Sequence, residues 1–410
     1  MGIFDVVIVG GGAAGFFAAI TAVETRPGTS VVILEQSQQV LSKVRISGGG
    51  RCNVTHACFD PSHLVNSYPR GSRELLGPFH KFGPADTVSW FAAHGVKLKT
   101  EDDGRMFPVS DDSETIVRCL TGYASRLGIS ILTGKKIVSI KPADPEEGFY
   151  TIGTSGGDLY CSRNVMIATG SSPAMWSLLA GLGLVIEPPV PSLFTFNMPK
   201  NPVTALMGIT IPNVNLSIPG TGIHTSGPLL ITHWGLSGPA VLKASAWGAR
   251  VLAQNEYRFS IEVDWIPLTG HEEIKAQREL SGAKKVLNGP HFGLPQRLYH
   301  HLATEAGITE DTRWATVTKT QMDRLIFVLK SWHADIAGKT TFKEEFVTAG
   351  GIKLRQVNFK TFECRKHPGL FLAGEVLDID AVTGGFNFQA AWTGGFLAGK
   401  GMATRLDSGS

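Results

Sequence analysis

The chain has 410 residues, 43% of them apolar, with 48 glycines and a formal net charge of +3. That length accommodates two or three domains, and the composition fits a globular α/β protein rich in tight turns. Positive and negative residues are interspersed with no block of like charge, which argues against a nucleic-acid groove or a polybasic membrane anchor as the main function.

The first segment is the most informative. Asp5 to Val9 reads as a buried strand that runs straight into Gly10-Gly11-Gly12-Ala13-Ala14-Gly15, with a helix-compatible stretch from Phe16 to Thr25 behind it. In a G-x-G-x-x-G turn the first glycine permits the tight strand-to-helix reversal. The second lets the backbone approach a pyrophosphate, and the third lets helix and strand pack closely. Unpaired N–H groups and a partial positive charge at the helix start favour that anion. A second apolar run, Ser30 to Leu34, ends in Glu35, where an acid for a ribose hydroxyl belongs. Strand, glycines, helix, strand and acid stand in register, so a dinucleotide is expected here. Val6 to Ile20 lacks the basic flank of a signal peptide, and no apolar stretch reaches membrane-spanning length.

After Glu35 comes a loop rich in glycine and basic residues, Lys43 to Asn53. Pro84 to His94 and Asp111 to Leu127 read as helices; Ile129 to Leu132 and Lys136 to Ile140 read as strands. A meander follows over Gly148 to Gly153 and Leu159 to Ala168. Three prolines within Glu187-Pro188-Pro189-Val190-Pro191 cannot continue a helix or a central strand, which places a domain boundary there. Residues 192 to about 265 are short β-branched segments that suit a small barrel or sandwich. Residues from about 268 to 333 are helical, as in Gln296 to Ala306 and Thr320 to Lys330, and β character returns at Phe342 to Val347. Leu370 to Glu375 is again an apolar strand ending in glycine and acid, and Thr383 to Lys400 supplies a final helix. The expected domains are 1–190 and 346–410 as one dinucleotide-binding domain from both chain ends, a β-barrel over 191–267, a helical part over 268–333, and a return strand over 334–345.

Three glycine-containing strand ends converge: Gly10 to Gly15, Ala168-Thr169-Gly170, and Gly374-Glu375. An extended flavin dinucleotide calls on a late strand for its ribityl chain and a late helix for its ring. The long separation of first and last motifs therefore favours FAD over NAD. Five scattered cysteines (Cys52, Cys58, Cys119, Cys161, Cys364) form neither a disulfide framework nor a zinc spacing, so no metal is expected and a reducing, cytoplasmic setting is the default.

On specific stretches the chain resembles the bacterial HI0933-like flavoproteins, which include aminoacetone-oxidase-like and bile-acid-reductase-like members. These stretches are Ser47 to Asn53, Leu230 to Pro239, Phe346 to Gly351, and Gly369 to Asp378 continuing through Gly384 to Trp392. The resemblance implies a glutathione-reductase-like FAD domain interrupted by a β-barrel and a small helical subdomain. The chain departs from the family pattern at Ser171, after Ala168-Thr169-Gly170, and at Ala381, both usually glycine.

The candidate cofactor residues are Gly10, Gly12, Ala13, Ala14, Gly15, Glu35, Lys43, Ser47, Gly48, Gly49, Arg51, Cys52, Asn53, Ala168, Thr169, Gly170, Gly374, Glu375, Asp380, Gly385, Phe386, Asn387 and Gln389. Glu35 is expected on the adenosine ribose, and Glu375 on the ribityl chain or the pyrophosphate. The N–H groups of Thr383 to Asn387 are expected at the pyrimidine edge of the flavin, where negative charge gathers on reduction. Cys52 is expected as a packed thiol beside the cofactor rather than one half of a redox pair. His233 and Ser237, in the inserted region, are substrate-facing candidates; His233 is equally suited to a proton-transfer or a structural place.

The expected activity is hydride transfer between a small organic substrate and the flavin. Either oxygen or transient NAD(P)H resets the flavin. The lack of a second G-x-G-x-x-G leans towards oxygen. A flavin-containing RNA-modifying protein and a non-catalytic flavoprotein scaffold are the alternatives. The even charge speaks against nucleic acid, and a small molecule is the expected partner.

Overall fold

Strands of a parallel sheet are buried on both faces by helices and therefore require nearly continuous apolar sequence. Val6, Val7 and Ile8 meet that requirement and are fully buried in β1 (Gly2–Val9). A computed structural model describes residues 2–143, 148–341 and 347–408. In it β1 pairs in parallel with β2 (Val31–Leu34) on one side and β4 (Leu159–Ile167) on the other. The parallel set extends from β2 to β3 (Ser130–Leu132) and from β4 to β5 (Leu370–Leu372). The register places Leu132, Leu34, Val9, Ile167 and Leu372 in one line across the sheet, so all five strands end at the same edge.

Two helices hold this edge. In α1 (Ala13–Thr25) every residue from Ala14 to Val23 is buried, because α2 (Phe386–Ser408) lies along it. Gly395 and Gly399, one helical turn apart, face α1 directly. A Cβ at Gly395 would lie 2.5 Å from the Ala14 carbonyl oxygen, and one at Gly399 would lie 2.6 Å from that of Ala18. Small residues on one stripe let the two backbones approach this closely. Phe17 and Trp392 pack ring to ring at 4.9 Å beside them.

The chain divides into two compact units, residues 1–190 with 347–410, and residues 191–346. The second is built on a seven-stranded antiparallel sheet. The hairpin of Thr210–Ile218 and Ile223–Thr232 lies within it, and the helix Pro239–Gln254 contributes to the same apolar core. Helices His271–Leu280, Gln296–Glu305 and Lys319–Lys330 follow. Strand Trp332–Ala337 alternates buried and exposed residues, as a half-buried strand does.

The proline-rich segment is no central strand: Ile186–Ser192 pairs with Val347–Ile352 in a two-stranded ladder, where proline is tolerated because one side of the strand has no neighbour among the described residues. Two local readings change. Lys43 to Asn53 is partly helical, over Ser42–Gly50, but breaks at Ser47, Gly48 and Gly49. The last helix begins at Phe386 rather than Thr383, since Gly384 and Gly385 hold φ of 135° and 89°. Of the return strand expected over 334–345, the structure shows Trp332–Ala337 and Lys339–Thr340. Residues 342–346, where β character was expected to resume, lie outside the described residues.

Candidate cofactor site

Because the five parallel strands end in register, Glu35, Gly10, Ala168 and Ala373 emerge side by side at the carboxyl edge, where open α/β sheets bind ligands. Gly10 has φ of 110°, and a side chain there would overlap the Ala168 carbonyl. A Cβ at Gly15 would overlap the carbonyl of Gly10. Gly12 differs from both. The nearest atom to its missing Cβ is the Ala168 oxygen, 4.0 Å away, so the space in front of it is open. No side chain caps α1, and the N–H groups of a helix's first turn, those of Ala13 and Ala14 included, have no partner within the helix. The buried Thr169 hydroxyl has no hydrogen-bond partner among the described residues. An open cradle, uncapped donors and an orphaned hydroxyl fit a pyrophosphate.

Two acids follow strand ends at this edge. Glu35 accepts from Gly11 N at 2.8 Å and from Ser37 N and Oγ at 2.9 and 2.8 Å. Two carboxylate oxygens offer about four acceptor positions, which leaves room for a ribose hydroxyl. Glu375 follows Gly374 and forms an ion pair with Lys43. The loop's other cations are matched in the same way. Arg45 pairs with Glu114, and Arg51 pairs with Glu101 at 2.6 Å and Asp111 at 3.6 Å while its guanidinium lies 4.0 Å over Phe107. Those carboxylates hold the Arg51 pKa above its ordinary value, the Glu101 hydrogen bond contributing most.

Ser47 accepts a hydrogen bond from Cys52 N through its carbonyl, 2.9 Å, and Cys52 itself has φ of 61°. Burial pushes the Cys52 thiol up to about 12, so it is neutral at ordinary pH and a poor nucleophile. A side chain at Gly48 would meet Phe107 at 2.8 Å, whereas Gly49 faces open space.

The entry to α2 is held by side chains from distant parts of the sequence. With its amide oriented to satisfy both neighbours, Asn53 donates to Thr55 O and accepts from Gly385 N, each at 3.0 Å. Tyr68 donates its hydroxyl proton to Phe386 O at 2.6 Å, and the Phe386 ring stacks on His56 at 4.5 Å. Burial lowers the His56 pKa. Asn387 accepts from Ala381 N at 3.0 Å and donates to Ala381 O at 3.2 Å. Gln389 is fully buried; its Oε1 accepts from Thr55 and Thr87 at 2.6 and 3.0 Å, and its amide donates to Thr393 at 3.1 Å. Asp380 is fully buried against Arg70, which donates to both its oxygens.

The structure thus gathers the phosphate-turn residues, Glu35, Ala168 to Gly170, Gly374 and Glu375 along one edge. The side chains of Arg51, Asn53, Asp380, Asn387 and Gln389, offered to the cofactor by the sequence, are bonded to protein groups instead. Arg70, Tyr68, Thr55 and Thr87 were missed. Nothing in their local sequence signals the role, because each finds its partner some three hundred residues away. His233 and Ser237 belong to the second unit, where His233 is exposed with its ring 4.1 Å from Trp234.

A parallel sheet with a glycine turn after its central strand, an acid after the next, and glycine-ended strands beside them defines a Rossmann-type dinucleotide-binding fold. The chain belongs to the HI0933-like family, whose Rossmann domain matches residues 4–401. It is similar to the ribosomal RNA dihydrouridine synthase of Haemophilus influenzae, 28% identical over 400 residues that cover 95% of this chain and 96% of that one. It is as similar to the 3-dehydro-bile acid delta(4,6)-reductase of Clostridium scindens, 27% identical over 415 residues that cover 97% and 98%. Among solved structures it shares its fold with a 3-ketosteroid-delta4-(5alpha)-dehydrogenase from Rhodococcus jostii RHA1, with a TM-score of 0.53, 14% identity, and coverage of 98% and 97%. Among the described residues no helix is long and apolar enough to cross a membrane, and no three metal-ligating side chains cluster.

Proposed function

We propose that this protein is an FAD-dependent reductase of carbon–carbon double bonds conjugated to a carbonyl. The observation that carries the reading is a pair of relatives, matched over nearly their whole lengths, whose names describe different substrates and one chemical step. Forming dihydrouridine saturates the uracil double bond next to a carbonyl, and a delta(4,6)-reductase acting on a 3-keto steroid does the same. When bound, FAD would supply the two-electron carrier between NAD(P)H and the conjugated double bond, whose β carbon would take the hydride equivalent and whose α carbon a solvent proton.

The chain's own residues bind and orient. Gly12 leaves room for the pyrophosphate, and the N–H groups of Ala13 and Ala14 with the Thr169 hydroxyl donate to it. Glu35 receives the adenosine ribose and Glu375, steadied by Lys43, the ribityl hydroxyls. The N–H groups of the first turn of α2, beyond the Gly385 N–H that Asn53 occupies, would meet the pyrimidine edge, with the helix dipole favouring negative charge there.

The names of the relatives also bring RNA back as a substrate carrier, against the even charge of this sequence. One experiment separates the possibilities. Under argon, stopped-flow mixing with NADPH is expected to bleach the flavin, and a 3-keto-Δ4 steroid or a uridine-containing ribosomal RNA is expected to restore its colour with a saturated product. RNA alone restoring colour assigns the nucleic acid. Reoxidation by oxygen alone, with no saturated product from either substrate, refutes the reading and returns the oxidase.

A further inference from the structure

We infer that one edge of the first unit, built on residues 353–367 and the end of α2, is a docking face for RNA. The inference deepens the reading above, and rests on it for what the RNA carries.

Residues 353–367 hold five Lys and Arg side chains and one carboxylate, an excess larger than the net charge of +3 on the whole chain. The even balance of the sequence is therefore an average over unlike regions. In the Lys43 to Arg51 segment every cation meets a carboxylate of its own. At this edge the pairing stops at two: Lys353 meets Glu187 at 3.1 Å, and Arg405 meets Glu363 at 3.6 Å. Arg163, Arg355, Lys360, Arg365, Lys366 and Lys400 are exposed and have no ion pair among the described residues.

The fold gathers these charges. Strands Val357–Asn358 and Glu363–Cys364 form an antiparallel hairpin that extends the sheet beyond β5. The helix α2 runs close along it. A Cβ at Gly394 would lie 3.0 Å from the Phe362 ring, and one at Gly401 would lie 3.0 Å from Thr361. That brings Lys400 and Arg405 to the hairpin. Arg163 is beside it too, since a Cβ at Gly369 would lie 2.8 Å from the Arg163 carbonyl. What holds the cations leaves their charge intact. Arg365 donates from Nε to Val357 O at 3.2 Å, Lys366 donates to Leu182 O at 3.2 Å, and Lys400 lies 4.6 Å over the Phe396 ring. Carbonyls and rings orient a cation without neutralising it.

Cations spaced along an edge suit a repeating polyanion, whereas a single phosphate needs donors converging on one point. Arginine forks and lysines in such a row meet successive backbone phosphates, and each contact releases condensed counterions. From 353 to 407 no large apolar side chain is exposed among the described residues, so the face lacks the anchor that a lipid surface takes. Val185, exposed beside Lys353, stands alone.

Fluorescence anisotropy of a labelled, uridine-containing ribosomal RNA hairpin with the FAD-loaded protein, between about 50 and 200 mM KCl, tests the inference. The triple variant Arg355→Gln, Lys360→Gln, Lys400→Gln is expected to bind about tenfold more weakly and to lower the slope of log affinity against log salt by about 2. The triple variant Lys81→Gln, Lys97→Gln, Lys284→Gln removes the same charge elsewhere and is expected to match the parent. Equal weakening by both triples, or no RNA binding by the parent at the lowest salt, overturns the inference. So does loss of phosphatidylserine-vesicle binding in the first triple with RNA affinity unchanged, which gives the face to lipid. Bleaching of the flavin by NADPH is scored separately. Its failure with RNA binding intact sinks the proposed function and leaves this face standing.

Discussion

Two glycine turns in the first unit look alike in sequence and are built for opposite reasons. At Gly10 and Gly15 an added side chain would strike backbone of the neighbouring strand or of the turn itself, so contact demands glycine. At Gly49 nothing lies within 4 Å, and the demand comes from a φ of 68° alone. Gly12 is a third case, with extended backbone (φ −96°) and open space in front of it. The same residue type therefore encodes packing, chain handedness and room for a ligand.

Alanine substitutions sharpen that contrast. Gly15→Ala should do the most damage, about 3 kcal/mol of unfolding free energy in urea, since rigid backbone cannot yield; a loss below 1 kcal/mol would show that the turn relaxes. Gly49→Ala should lower stability by about 1–2 kcal/mol, the left-handed penalty, without affecting neighbours. Gly12→Ala should leave the cofactor-free protein within about 0.5 kcal/mol of the parent, while FAD binding measured by fluorescence quenching weakens at least tenfold. Unchanged affinity would remove Gly12 from the phosphate site.

The smallest effect is expected at His56, which meets the Gly384-Gly385 turn through its stack on Phe386. Burial lowers its folded pKa below that of the unfolded chain. The unfolded state then binds more protons between the two values, so this contribution is complete above about pH 6.5 and is lost as pH falls. His56→Phe, which keeps the stack, should flatten the acid limb of urea midpoints measured from pH 7.5 to 5. Parallel acid limbs would show that His56 does not couple to folding.

Legibility followed the same division. The Gly10 turn, the strands around it and the acid at Glu35 could be read because they depend on local period and spacing, and β1, β2, β4 and β5 lie as those patterns require. The entry to α2 could not. Gln389 looked free to meet a ring heteroatom, yet Thr55 and Thr87 occupy it; Arg51 looked free to meet phosphate, yet Glu101 and Asp111 surround it. Polar side chains reveal their chemistry in sequence but not their partner, and a partner chosen by folding leaves no periodic trace. Charge balance was visible only as an average, which hid the matching of each cation in the Lys43 to Arg51 segment to its own carboxylate.

The pairing of α1 with α2 has a consequence for biosynthesis. A helix buried from Ala14 to Val23 leaves the ribosome long before the surface that covers it, including Gly395 and Gly399, has been translated. At ~5–20 residues per second the newborn polypeptide carries that greasy helix uncovered for tens of seconds. Trigger-type chaperones should engage it throughout that interval, and messages truncated before codon 386 should yield products that are degraded rather than merely inactive.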